Sequence, residues 1–296
     1  MAPRKAANTQ QHAPVPHRAH HIGLLYAPGI ADARRMAVEL EEWLARLGLE
    51  VWSGSAEEAD GPARETIAAC DLLLTLGGDG TSLRAAHLAA PLGVPLVCVG
   101  MGHLSFMAEL TPEDVLKQLP AFLAGDYWLE ERSMVEGIVV RQGEEISHCT
   151  ALNEIVLGRE RCALTLRVAA RVNDAHLITY VCDAVIVSTA TGSTAYAVSA
   201  GGPIIFPTSR SLLLLPVAAH LSLLPPLIIP ENAAVELEVV GGSGAGLNSD
   251  GQSQCEIQPG DTVRAQRSRI ACYFARLQER NYFFGTLKAR LYRENL

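Results

Sequence analysis

The segment with least conformational freedom is Asp71-Leu72-Leu73-Leu74-Thr75-Leu76, an apolar run that stops abruptly at Gly77-Gly78-Asp79-Gly80-Thr81. Apolar side chains at consecutive positions demand burial on both faces, which a strand inside a parallel sheet provides. The glycines then turn the chain sharply, and residues 82–90 are helix-prone, so the order reads strand, turn, helix. The neighbouring segments repeat the alternation. An apolar run at 21–28 precedes a helical pattern over 31–47, with Met36, Leu40, Trp43, Leu44 and Leu47 at three- and four-residue spacings and Gly48 as a stop. Strands at 49–52 and 94–99 complete an α/β layer.

After Tyr127 the texture changes. Strand-like runs at 135–141, 163–172, 177–181 and 184–189 follow one another without helical periodicity between them. Asn173-Asp174, Pro259-Gly260-Asp261 and the loop at 241–246 supply hairpin punctuation. A β-rich, β-sandwich-like C-terminal domain is therefore expected beside the α/β N-terminal domain. Residues 282–296 are helix-like, with Leu287 and Leu291 one turn apart, and are expected to pack back on the first domain. The expected organisation is a disordered tail at 1–20, an α/β domain at 21–127 joined by 277–296, and a β-rich domain at 128–276.

Thirty-two acidic against twenty-four basic residues give a net charge of −8, so no general basic surface exists for a nucleic-acid backbone or an anionic membrane. The apolar stretch 212–230 has about the length of a membrane span, but Pro216, Pro225, Pro226 and His220 interrupt it; buried strands and turns are expected. The first twenty residues contain no apolar core of a secretory signal. Seven cysteines form no CxxC pair and are read as reduced thiols in a cytoplasm, without structural zinc.

Several segments could carry chemistry. A strand that ends in glycines and opens a helix brings backbone N–H groups close to phosphate oxygens, and the helix N-terminus adds a favourable field. Residues 77–81 have this form, yet they match neither the Walker A loop nor GxGxxG. A carboxylate facing phosphates repels them, so Asp79 either deprotonates an attacking hydroxyl or helps to hold Mg²⁺; both point to phosphoryl transfer. A capped turn is the structural alternative. Thr189-Ala190-Thr191-Gly192-Ser193-Thr194-Ala195-Tyr196, continuing to Ser199, offers hydroxyls, little bulk and a ring against which a base could stack. Asn153-Glu154 suits a polar small molecule, or simply a strand edge. Asp183 and Asp250-Gly251 read first as turn residues, and Gln252 could reach a ligand. His103 and His220 read as core or turn histidines. Arg84, Arg159 and Arg161 could neutralise phosphates or lie solvated.

In order, Gly77-Gly78-Asp79-Gly80-Thr81, Gly102-His103-Leu104-Ser105-Phe106, Ala151-Leu152-Asn153-Glu154, Thr191 to Tyr196, Ser199-Ala200-Gly201-Gly202-Pro203, Asp250-Gly251-Gln252 and Phe283-Phe284-Gly285 resemble the motif series of NAD kinases. The glycine loop alone is shared with diacylglycerol, sphingosine and 6-phosphofructo-kinases; Asn153-Glu154 together with Thr191 to Tyr196 narrows the resemblance. It implies an ATP:NAD⁺ 2′-phosphotransferase, cytoplasmic, using Mg²⁺ carried with ATP, and assembled as a homodimer or homotetramer. By matching position, Asp79 would accept the proton of the adenosine-ribose 2′-hydroxyl. Gly78, Gly80, Thr81 and Arg84 would lie beside the nucleotide, and Phe106 would stack on a ring of the dinucleotide. Asn153, Glu154, Asp183, Gln252 and residues Thr194, Ala195, Tyr196, Ala197, Val198 and Ser199 would bind NAD, with His220 near the phosphates. The chain departs from the usual pattern at Cys182 and Ala184 (both glycine), Ala190 (proline), Gly100 (asparagine) and Pro225 (arginine). A lipid or sugar kinase with the same loop, and a catalytically silent dinucleotide-binding regulator, are the competing readings.

Overall fold

The computed structural model describes residues 14–57, 62–102, 105–160, 165–220, 224–242 and 244–291. Residues 1–13 of the expected tail, His103, Arg161, Cys162 and the end of the C-terminal segment lie outside these.

Four parallel strands, β1 (His21–Tyr26), β2 (Glu50–Ser55), β3 (Leu72–Gly77) and β4 (Leu96–Gly100), stand in the order β2-β1-β3-β4. Helices α1 (Ala31–Arg46), α2 (Pro62–Ala68) and α3 (Asp79–Ala89) connect them. All six residues of β3 are buried, as its unbroken apolar run requires. Helix α1 buries Ala33, Ala37, Leu40 and Leu44, while Leu47 is 55% exposed. The buried stripe thus runs through the alanines, whose small side chains let the helix approach the sheet. Helix α4 (Val115–Ala124) follows, with Pro120 inside it. Pro120 lies on the exposed face, where water can satisfy the carbonyl left without an N–H partner.

The remainder comprises β5 (Trp128–Arg141), β6 (Glu144–Ala151), β7 (Glu154–Arg159), β8 (Leu166–Val172), β9 (Ala175–Cys182), β10 (Ala184–Ser188), the single turn α5 (Tyr196–Ser199), β11 (Leu212–Val217), β12 (Leu227–Ile229), β13 (Val235–Gly242), β14 (Ala245–Ser249), β15 (Gln252–Ile257), β16 (Thr262–Arg276) and α6 (Tyr282–Leu291). Among the described residues these strands make two sheets. One has ten strands, running β2-β1-β3-β4-β16-β13-β8-β9 with β5 and β6 on a branch from β16. The other is β12-β11-β10-β7-β14-β15. Strand β16 joins the two halves of the larger sheet: Phe274 pairs with Leu96 of β4, and Ala265 pairs with Val235 of β13. The antiparallel half packs on the six-stranded sheet through Val135, Val168, Leu237, Ile155, Val185, Leu214 and Leu247, which makes a sandwich core.

Within the stretch 212–230, Leu212–Val217 and Leu227–Ile229 form β11 and β12, and no helix among the described residues is long and apolar enough to cross a membrane. The six described cysteines are free. Helix α6 sits where the two halves meet. Arg290 donates to the carbonyls of Phe106 and Ala108 in the first half, and Phe283 and Phe284 pack on Phe206 in the second.

Candidate active site

Strand β3 delivers the glycine loop to the carboxyl edge of the parallel sheet. A Cβ on Gly77 would lie 2.3 Å from Thr81 Oγ1, so only glycine lets the Thr81 side chain fold back under the turn. Gly78 and Gly80, by contrast, have no atom within 4 Å of where a Cβ would stand. Their backbone is open to an approaching anion. Asp79 is the first residue of α3, and its carboxylate is held from the other side by the segment after β4. Oδ1 accepts the Ser105 hydroxyl and the Met107 N–H at 3.2 Å, and Oδ2 accepts the Phe106 N–H at 3.1 Å.

That segment is itself tied down from the C-terminal end of the chain. Arg290 reaches the Phe106 carbonyl at 2.7 Å, and Arg276 reaches the Met107 carbonyl and Glu109 at 3.1 Å each. Glu109 in turn accepts the N–H groups of Leu277 and Gln278. Arg276 is wholly buried, paired also with Glu130 at 2.8 Å. Burial alone would raise the Glu130 carboxyl, but Arg132 and Arg276 outweigh it and hold it at about 2.

A cleft of about 520 Å³ opens over the carboxyl ends of β1, β2 and β3, lined by Ala27, Pro28, Gly29, Ala56, Glu57, Gly80, Thr81, Arg84 and Gln252. In the order β2-β1-β3-β4 the chain changes direction between β1 and β3, and ligands of open α/β sheets bind at such a switch point. Arg84 donates to the Ala56 carbonyl along one wall. Gln252 comes from the other half of the molecule, so the glycine loop and the β14–β15 hairpin face a common space.

The second element of the site is the Leu152-Asn153-Glu154 corner between β6 and β7. Ser188 and Thr189 bond its carbonyls at Asn153 and Leu152, and a Cβ on Gly192 would stand 2.2 Å from the Asn153 oxygen. The close approach explains the glycine. Asp250 clamps the corner from below, its carboxylate accepting the N–H groups of Leu152 at 2.7 Å, Asn153 at 2.8 Å and Glu154 at 3.1 Å. With the backbone so satisfied, Asn153 Oδ1, Glu154 Oε2 and Thr191 Oγ1 remain buried without a protein partner. Orphaned buried acceptors are rare in folded proteins; two of these lie on the corner and the third on the turn after β10 that packs against it. Burial, with the Asp250 charge beside it, pushes the Glu154 carboxyl up to about 8.

The other residues expected at the site divide. Thr194, Ala195, Val198 and Ser199 lie on the turn that follows Gly192, and Tyr196 is 44% exposed beside them. The Ala197 side chain is buried against Ile186, Leu213 and Leu215 under that turn. Ser193 is structural, bonding the Ala190 carbonyl and the Ile205 N–H. Phe106 is half-buried next to Asp79. Asp183 lies at the opposite end of β10 from Ser188, roughly 17 Å along the strand, where Arg159 donates to it at 2.9 Å. His220 is exposed at that same far end, its N–H on the Val181 carbonyl. Within one chain, Asp183 and His220 do not reach the Asn153 corner.

Sequence reasoning missed the residues that hold the site: His87, Ser105, Arg276 and Arg290. It read Asp250 as a hairpin-turn residue within one of the family's motifs and gave it no clamping role. The signal available was composition, since an arginine or aspartate inside an otherwise apolar strand or hairpin has to find a buried partner.

A glycine loop at the switch point, headed by a held carboxylate and facing a buried polar seat on a β-sandwich, defines a nucleotide-dependent phosphotransferase. Comparison with known proteins identifies which one. Residues 57–127 match the family model of the ATP-NAD kinase N-terminal domain and 152–277 that of the ATP-NAD kinase C-terminal domain. The chain is 42% identical over 274 residues to an NAD kinase of Chloroflexus aurantiacus, covering 92% of this chain and 98% of that one. It is 38% identical over 271 residues to the NAD kinase of Dehalococcoides mccartyi, covering 91% and 95%. Among solved structures, an Archaeoglobus fulgidus NAD kinase in complex with ATP superposes with a TM-score of 0.72 at 25% identity, covering 91% of this chain and 99% of that one. A yeast NADH kinase complexed with NADH has the same fold, with a TM-score of 0.81 at 22% identity and coverage of 99% and 94%. The chain belongs to the NAD kinase family.

Proposed function

We propose that this chain transfers the γ-phosphoryl group of ATP to the 2′-hydroxyl of the adenosine ribose of NAD⁺, giving NADP⁺ and ADP. The observation that carries the reading is the set of buried, unpartnered acceptors at Asn153, Glu154 and Thr191, at a corner that Asp250 joins to the helix of the glycine loop through His87. An adenosine ribose and base bring the hydroxyl and amino donors that such a set lacks. The triphosphate lies over Gly78 and Gly80, with Thr81, Arg84 and Gln252 lining the same cleft. Phe106 stacks on the dinucleotide, and residues Thr194 to Ser199 border it.

In the reaction the ribose oxygen forms a bond to the γ-phosphorus, the bond from that phosphorus to the β,γ-bridging oxygen breaks, and the hydroxyl proton passes to Asp79. A carboxylate offers about four acceptor positions. Three are occupied by Ser105, Phe106 and Met107, and Oδ2, with one donor, keeps a position for the hydroxyl. In a loose transition state the proton leaves late, so a carboxylate fixed in place serves as acceptor. Mg²⁺ enters as part of the ATP substrate. Among the described residues no cluster of three His, Cys, Asp or Glu side chains forms a separate metal site.

Asp183 and His220, at the far end of β10, serve a dinucleotide bound to a second copy of the chain, which is why we propose a homo-oligomer. The cytoplasm is the proposed compartment. The test is NADP⁺ formation from NAD⁺ with ATP and Mg²⁺, with D79N alongside. D79N is expected to bind NAD⁺ within several-fold of the wild type and to lose nearly all turnover; near-normal turnover removes Asp79 as the base. Saturable NAD⁺ binding without product by the wild type would select the silent regulator.

A further inference from the structure

Asp250 faces two ways. With Gly251 it forms a two-residue hairpin turn, both residues at positive φ (47° and 78°) and Ser249 opposite Gln252. Its side chain is 1% exposed and receives three successive N–H groups from Leu152, Asn153 and Glu154. Its fourth donor comes from the other half of the molecule, His87 Nε2 at 2.8 Å. His87 is on α3, eight residues beyond Asp79, or about 12 Å along a rigid helix. The Leu152 side chain shares one apolar cluster with Ala85, Ala86 and Ala89 of the same helix. One buried carboxylate therefore ties the helix that begins with the proton acceptor to the corner that seats the dinucleotide.

We propose that His87 and Asp250 are a positioning pair, which sets the distance between Asp79 and the Asn153-Glu154 corner so that the sugar alcohol of bound NAD⁺ arrives within reach of the carboxylate. The inference rests on the phosphotransfer reading above. Neither residue touches the reacting atoms. The contact needs only an N–H on Nε2 facing a carboxylate oxygen. When the His87 donor is lost, Asp250 retains its three N–H partners and the seat persists. What loosens is α3, and a misplacement of about 1 Å costs on the order of 100-fold in rate.

The experiment compares H87L, which removes the donor, with H87Q, which supplies an amide N–H, and with D250N, which places an amide against three N–H groups. H87L is expected to lower kcat for NADP⁺ formation at least tenfold, with the NAD⁺ Kd within twofold of the wild type and one NAD⁺ bound per chain. H87Q is expected to restore most of kcat. D250N is expected to weaken NAD⁺ binding at least tenfold. A merely structural role would lower the number of binding-competent chains and would not be rescued by H87Q. Amide exchange in α3, measured without substrates, is expected to quicken at least threefold in H87L. A kcat for H87L within twofold of the wild type, or unchanged exchange, overturns the proposal. If the wild type forms no NADP⁺ while H87L still quickens exchange, the phosphotransfer reading fails and the tie between α3 and the corner stands.

Discussion

The Glu154 carboxyl offers a quantitative check on the site because its environment is so one-sided. It is 7% exposed, Oε2 has no partner, and the Asp250 carboxylate lies beside it. Burial first, and the Asp250 charge second, raise its pKa from 4.5 to about 8. Between those values the folded chain holds a proton that the unfolded chain has released. Unfolding free energy must then fall as pH rises through this window, by up to about 1.4 kcal/mol per pH unit. Integrating the linkage from pH 6 to pH 8 gives a loss of about 2 kcal/mol from this one group. The substitution E154Q keeps the shape and removes the titration, so the difference between the wild type and E154Q isolates the term from all other groups. Urea unfolding at pH 6, 7 and 8 measures it: the two stability curves should separate by about 2 kcal/mol over the range, with E154Q the flatter. Parallel curves would show that Glu154 is ionised in the free protein and would refute its raised pKa. Ligand binding supplies the converse. A hydroxyl donor placed on Oε2 stabilises the carboxylate, so NAD⁺ binding at pH 7 should release a proton, seen as buffer-dependent binding enthalpy.

The Gly192 approach predicts that G192A forces the turn off the Asn153 carbonyl, which a Cβ would meet at 2.2 Å. A stability loss of about 1–3 kcal/mol and at least tenfold weaker NAD⁺ binding are expected, and an unchanged Tm and Kd would refute the contact. R276M leaves Glu109 buried without its cation and Glu130 with Arg132 alone, and is expected to cost about 3–5 kcal/mol in urea unfolding at pH 7; a loss under about 1 kcal/mol would show that the pair is solvated. Since Glu130 is held at about 2 against an ordinary 4.5, its contribution is complete above pH 4.5 and decays as pH falls toward 2. The acid limb of the stability curve should therefore be shallower in R276M than in the wild type.

The parts of the fold legible in the sequence are those set by local periodicity. β3 was readable because six consecutive buried positions leave a strand no other place than the inside of a parallel sheet, and Asn173-Asp174 because a two-residue turn with both φ positive (49° and 67°) suits these side chains. Helix α4 was not, because Pro120 reads as a breaker unless its exposed position is known. Strand β16 was not, because its two halves serve different neighbours, β13 at one end and β4 at the other, with a register shift between Arg267 and Ala271. A strand whose burial pattern changes midway shows no single period.

The candidate site divides along the same line. Residues that face a ligand, such as Asp79, Asn153 and Glu154, sit in short motifs of unusual local composition. The residues that hold them come from far along the chain: Asp250 meets His87 across 163 positions, and Arg290 meets Phe106 across 184. No local pattern encodes a pairing of that range. Yet those distant partners decide what the motif residues can do. Glu154 and Asp250 are neighbouring buried carboxyls of similar intrinsic acidity, and the fold gives one of them four donors and leaves the other an oxygen with none. The donor-rich group serves as a clamp, while burial and its neighbour's charge raise the pKa of the donor-poor one, whose oxygen takes its missing hydrogen bond from a ligand. Dissimilar environments separate the roles of like side chains, and here the separating element is the backbone of residues 152–154, whose N–H groups all point at Asp250.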